Sequence, residues 1–148
     1  LLILDHLQDP GNLGTIMRAA EAAGVTGILM SSDCVDIYNP KTIRSTMGAL
    51  YRVPFVVSED FTGDIERLKK AGVSTYAAHL GATISYEGAD YKKPCAFMIG
   101  NEANGLSDEV AALADCKILI PRAGQVESLN AAMAATVLMF EAARQRRN

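Results

Sequence analysis

The chain has 148 residues, 49% hydrophobic and 21% charged, which suits one globular domain able to bury roughly 70% of its unfolded surface. Its net charge of -3 excludes a uniformly basic nucleic-acid surface, so any RNA contact must rest on local basic clusters, a second subunit or a segment outside this chain. No apolar run approaches the ~20 residues of a membrane span, no signal-peptide layout is visible, and the three scattered cysteines (Cys34, Cys95 and Cys116) read as reduced thiols of a cytoplasmic protein.

Residues 1–6, LLILDH, form an apolar run consistent with a buried strand. Because the chain opens on Leu1 and is already strand-like there, an N-terminal part is expected to be missing. Gln8-Asp9-Pro10-Gly11 makes a turn, and a helix over residues 12–23 follows, closed by Gly24. On it Leu13, Ile16, Met17 and Ala20 form the core stripe, while Arg18 points away. Gly14, one turn earlier, leaves bare backbone beside that guanidinium. Residues 27–31 read as the second strand. Asn39-Pro40 opens a short helix bearing Lys41, Arg44 and Ser45 that ends near Gly48. Residues 55–58 are the third strand. A surface helix over residues 62–71 turns Phe61, Ile65 and Leu68 inward and pairs Glu66 with Lys70 outward. Residues 73–79 make the fourth strand, and the polar stretch 81–93 is a loop.

The fifth strand, residues 95–99, runs into Gly100-Asn101-Glu102-Ala103-Asn104-Gly105-Leu106. Ser107 then caps a helix through residue 114, with Asp108 and Glu109 in the first turn where they favour the dipole. The sixth strand, residues 118–120, stops at Pro121, and after a loop at Gly124 a long helix opens at Ser128. Leu129, Ala132, Met133, Thr136, Val137 and Phe140 follow helical spacing, yet Ala131, Ala134, Ala135, Leu138 and Met139 make the opposite side apolar too. A helix without a watery face must be covered twice, by the sheet and by a further surface, for which a second copy of the chain is expected. Basic residues return at Arg144, Arg146 and Arg147. Six strands alternating with helices predict an α/β fold, a mainly parallel six-stranded sheet with helices on both faces.

Three segments recur in a fixed order: Asn12-x-Gly14-x-x-x-Arg18, then Gly100-x-Glu102 after a buried strand, then Ile120-Pro121 with Gly124, Val126 and Ser128-Leu129-Asn130 before an arginine-ended helix. Together they span nearly the whole chain and resemble the three motifs of the SpoU-type (TrmH-like) ribose 2′-O-methyltransferases of RNA, members of the SPOUT superclass. The resemblance implies a catalytic domain over residues 1–148, a C-terminal trefoil knot, and S-adenosylmethionine as cofactor. It implies a homodimer acting on structured RNA, ribosomal or transfer, with an N-terminal RNA-recognition domain absent from this chain. It carries cofactor binding to Gly100, Asn101, Ile120 and Leu129, and catalysis to Arg18 with Asn12, Glu102, Ser128 and Asn130 as its polar shell. Ala103 departs from the glycine that many members carry there.

Read without the family, these residues have ordinary roles: Asn12 and Ser128 as caps, Glu102 as a solvated acid, Ile120 and Leu129 as core. Order and spacing across three segments favour the site. Arginine is a poor base, with a pKa above ~12, so Arg18 is expected to position phosphate and alkoxide while the proton acceptor stays open. Lys41, Arg44, Arg52 and the arginines from 144 to 147 are candidate phosphate contacts. His6 and His79 lack partners at metal spacing, so no metal is expected, and no Walker A, dinucleotide or nucleophile-elbow pattern occurs. The rivals are a catalytically inactive RNA-binding or assembly protein of the same fold and a dehydrogenase-like nucleotide-binding domain.

Overall fold

In a computed structural model, which describes residues 1–147, two apolar runs buried at every position set the architecture. In β1 (Leu2–Leu4), Leu2 and Leu4 face one side of the sheet and Ile3 the other. β6 (Cys95–Ile99) lies beside it and is buried throughout, as the middle of a parallel sheet covered on both faces must be. Around this pair run β2 (Ile28–Ser31), β3 (Phe55–Ser58), β4 (Ser74–Ala78), β5 (Ile84–Ser85) and β7 (Cys116–Leu119). The order is β3-β2-β1-β6-β4-β7-β5, and every pairing is parallel.

The sheet therefore has seven strands, not six. The addition, β5, is a two-residue edge inside the polar stretch 81–93, held by pairing with β7. Two residues carry no periodicity, so sequence pattern cannot register them.

One face is covered by α1 (Pro10–Ala23), α2 (Pro40–Thr46) and α5 (Ala131–Arg146), which enclose Leu13, Ile16, Met17, Ala20, Leu138 and Met139 against Leu2, Leu4, Ile28 and Phe97. The other is covered by α3 (Phe61–Lys70) and α4 (Asp108–Ala111), with Ile65 and Val110 on Ile3, Ala77, Ala96 and Met98. On α3 the expected Glu66 to Lys70 pair gives way to Arg67 bonding Asp64 and Asp60. No helix is long and apolar enough to cross a membrane among the described residues.

Three local expectations are corrected. Gly14 has its packing reason in α2 and not in Arg18: a side chain there would collide with Cβ of Ser45 and the carbonyl of Thr42. The helix after Ser107 keeps its cap, with Ser107 Oγ accepting from Val110 N, but ends at Ala111. The last helix opens two residues later than expected. Asn130, not Ser128, is its cap, accepting from the N–H groups of Ala132 and Met133 at 2.8 and 3.2 Å. Either residue can cap a helix, so tertiary bonding at Asn130 decides between them.

β1 leads outward to β2 and β3 on one side, and the chain then crosses to β4 and β6 on the other. The carboxyl ends of β1 and β6 thus flank the point where strand order reverses, the place where open α/β sheets receive ligands.

Candidate active site

The loop following β6 closes on itself. Asn101 N donates to Gly105 O at 3.0 Å and Gly105 N returns to Asn101 O at 2.8 Å, with Gly105 at φ 70°. The Asn101 side chain braces this turn and ties it to the end of β1: Oδ1 accepts from Ala103 N and Asn104 N, and Nδ2 donates to His6 O. Gly100 faces the same turn. A Cβ there would fall on the backbone of Gly105 and Leu106, so glycine is required for the loop to fold back rather than for close approach of a ligand.

The turn aims Glu102 at the start of α1. Its carboxylate accepts from Gln8 N at 2.9 Å, Asp9 N at 2.7 Å and Asn12 Nδ2 at 3.4 Å. Burial acts to raise its pKa, but the backbone N–H groups of Gln8 and Asp9, its own backbone and the Asn12 amide outweigh it and hold the carboxyl below its ordinary value. Asn12 Oδ1 in turn accepts from Asn130 Nδ2 at 3.1 Å. Glu102, Asn12 and Asn130, distant in sequence, are thereby joined into one hydrogen-bonded row. Asp9 fixes Asn12 from below, capping α1 by accepting from Asn12 N at 3.0 Å.

Beside this row opens a cleft of about 390 Å³. Ile99, Ile118, Ile120, Leu129 and Leu138 give it apolar walls, and Gly100, Asn101, Glu102 and Ser128 also line it. Such a volume, largely apolar with a few convergent polar groups, suits a small organic ligand. Two lining residues, His79 and Arg122, were not among the expected site residues. His79 Nδ1 accepts from Gly81 N at 3.0 Å, which places the proton of a neutral ring on Nε2. Arg122 lies on the loop between β7 and α5. Nothing local distinguishes either from a surface residue.

Arg18 stands apart. Six residues after Asn12 on α1, it is roughly 9 Å further along the axis and turned by about 240°. It is exposed and does not line the cleft, and no hydrogen bond or ion pair holds it among the described residues. Ser128 is exposed at the rim. No three metal-ligating side chains converge among the described residues.

The pattern defining the SpoU rRNA Methylase family matches residues 1–140. The chain belongs to that family. Over 97% of its length this SpoU chain is 41% identical to an uncharacterised tRNA/rRNA methyltransferase of Synechocystis, covering 53% of that protein. Over 95% of its length it is 35% identical to a 23S rRNA (guanosine(2553)-2′-O)-methyltransferase of Bacillus subtilis, covering 56% of it. In structure it matches the SpoU methyltransferase AviRb of Streptomyces viridochromogenes, solved with AdoMet, with a TM-score of 0.91 at 34% identity, covering 99% of this chain and 60% of that one. An AdoMet-bound rRNA methyltransferase of Sinorhizobium meliloti gives a TM-score of 0.90 at 41% identity, with 97% and 55% covered. The SpoU chain thus spans about half the length of the curated relatives it matches.

Proposed function

We propose that residues 1–148 form the catalytic domain of an S-adenosylmethionine-dependent methyltransferase acting on a ribose 2′-hydroxyl of structured RNA, ribosomal RNA first and transfer RNA second. The observation that carries this reading is the Glu102-Asn12-Asn130 row at the rim of the apolar cleft. The residues present fit the cofactor: Ile120 and Leu129 offer apolar walls and the 100–106 turn presents backbone polar groups. Relatives solved with AdoMet support the same guest. Bound there, S-adenosylmethionine supplies an electrophilic methyl group.

The chain's own residues do the rest by positioning, which can lower a barrier by several kcal/mol when reacting atoms are held in line. The Asn12 and Asn130 amides, each fixed by the other, present donor and acceptor edges to a ribose hydroxyl. Glu102 keeps Asn12 in place from behind. Ser128 offers a further hydroxyl at the rim.

Arg18 enters this reading through a homodimer. The face of α5 away from the sheet leaves Met133 62% and Phe140 41% exposed, a surface that a second copy would cover. Packing α1 and α5 against the partner would carry Arg18 into the neighbouring site, where its guanidinium would hold phosphate and developing alkoxide. The C-terminal segment is also read as a trefoil knot. Its support is the end of α5, where Gln145 bonds Tyr91 N and Ala89 O and Arg146 bonds Tyr91 O and Lys93 O, within the segment joining β5 to β6.

The test is calorimetry with S-adenosylhomocysteine followed by a tritium-transfer assay on bulk RNA. Binding and transfer are expected, and loss of transfer with retained binding in Arg18→Ala identifies a catalytic arginine. Wild-type protein that binds the cofactor but transfers nothing to any RNA would move the assignment to the inactive RNA-binding reading. A Met133→Glu, Phe140→Glu double variant is expected to sediment as a monomer that binds cofactor yet transfers no methyl.

A further inference from the structure

The methyltransferase reading leaves one feature of the cofactor without a partner, its carboxylate. Resting on that reading, we propose that Arg122 is the residue that receives it. The guanidinium, on the loop between β7 and α5, pairs with the carboxylate of the methionyl part, while the apolar walls take the adenosine.

The charges lining the cleft are few. Glu102 is negative, and its oxygens are already engaged by Gln8, Asp9 and Asn12. Arg122 is the one arginine or lysine among the lining residues. It makes no ion pair with any acid among the described residues. Its single hydrogen bond, Nη1 to Val126 O at 3.2 Å, runs back across its own loop. That bond holds the side chain along the rim and leaves most of the five N–H donors of a guanidinium free, in the fork that matches a carboxylate.

Position along the chain agrees with this role. Arg122 follows the wall residue Ile120 by two positions, and Leu129 and Asn130 close the same loop at its other end. One loop would thus grip the ligand at both extremities. An unpaired cation beside a partly apolar cleft gains most from an incoming anion, because lower local dielectric strengthens the pair.

The experiment compares two ligands that differ at one group. S-Adenosylhomocysteine carries the carboxylate, and its decarboxylated analogue keeps adenosine, thioether and ammonium. Calorimetry is run with wild type, Arg122→Gln and Arg122→Lys. The expected result is a roughly tenfold loss of S-adenosylhomocysteine affinity in Arg122→Gln, in line with a charge-assisted hydrogen bond at a partly exposed rim, with the analogue changed by less than about twofold. Arg122→Lys should recover part of the loss. Equal weakening of both ligands would mean that Arg122 only braces the loop, and no change in either would mean that it does not touch the ligand. Both outcomes overturn the proposal while leaving the cofactor reading intact. Failure of the wild type to bind either ligand sinks that reading and this one with it.

Discussion

Two hollows share the turn formed by residues 100–106, and their difference locates the chemistry. On one side lies the cleft of about 390 Å³ walled by Ile118, Ile120, Leu129 and Leu138. On the other lies a larger hollow of about 720 Å³, lined by Asp5, Asp33, Glu59, Asp60, Asp108 and Glu109. The larger space has the wrong sign for a polyanion, since like charges around a concave surface repel phosphate. Phe61, Leu106 and Val110 give it some apolar lining, but its rim is set by those six acids. Size therefore misleads here, whereas lining separates the proposed methyl-donor cleft from an acidic flank that would turn an RNA substrate toward it.

The strongest way to break this contrast is to stop the shared wall from forming. Gly100→Ala puts a methyl group onto the backbone of Gly105 and Leu106, and neither can yield without opening the turn. We expect destabilisation of about 1–3 kcal/mol, the usual range for overpacking, read as a lower Tm, together with loss of measurable S-adenosylhomocysteine binding. Undiminished binding would show that the turn does not shape the cleft.

Next in size is the anchor of that wall. Glu102→Ala leaves the N–H groups of Gln8 and Asp9 without their acceptor, at a cost of about 1–3 kcal/mol reduced by their exposure to water. The pH dependence follows from its lowered folded pKa. The tether is fully present above the unfolded glutamate value of about 4.3 and is lost as pH falls through the lower folded value. Cofactor affinity in the wild type should hold through about pH 4.3 and drop only below it, as the folded carboxylate protonates, and Glu102→Gln should flatten that acid limb. An identical limb in both proteins would assign it to another group.

These effects bear on what could be read from residues alone. The central strands were legible as short continuous apolar runs, and the Leu13, Ile16, Met17, Ala20 stripe because burial there follows period 3.6. The order of the three motif segments was legible too, and Asn12, Glu102 and Asn130 do meet. What failed has long range in common. Gly14 answers to Ser45, thirty-one positions on, and the capping role moved from Ser128 to Asn130, whose amide bonds Asn12 across 118 positions. β5 exists only because β7 is beside it. Arg122 and His79 look like surface residues until the cleft is assembled around them.

Asn130 tests the smaller side of the comparison, because one side chain serves two purposes that substitution can separate. Its Oδ1 caps α5 and its Nδ2 holds Asn12. Asn130→Ala removes both and should cost about 1 kcal/mol of stability, the usual value of an N-cap, along with methyl transfer. Asn130→Asp keeps an acceptor for Ala132 N and Met133 N, so the melting temperature should stay near that of the wild type. It loses the donor to Asn12 Oδ1 and sets an anion against that oxygen, so transfer should fall while S-adenosylhomocysteine binding stays within about threefold.

The smallest expected effect is on the acidic flank. Asp33 accepts from Ser31 Oγ and pairs with His6 Nδ1 at 2.5 Å each, and the Ser31 hydroxyl is the chief reason its pKa lies below the usual carboxylate value. Asp33→Asn keeps an acceptor for Ser31 and removes one negative charge from the hollow opposite the proposed cofactor cleft. S-Adenosylhomocysteine affinity should be unchanged. The association rate with bulk RNA should rise by about twofold at low salt and return to the wild-type value near 0.15 M, where the Debye length shrinks to about 8 Å. A gain that persists at high salt would mean that RNA sits in the acidic hollow itself, and the division of labour between the two sides of the turn would have to be redrawn.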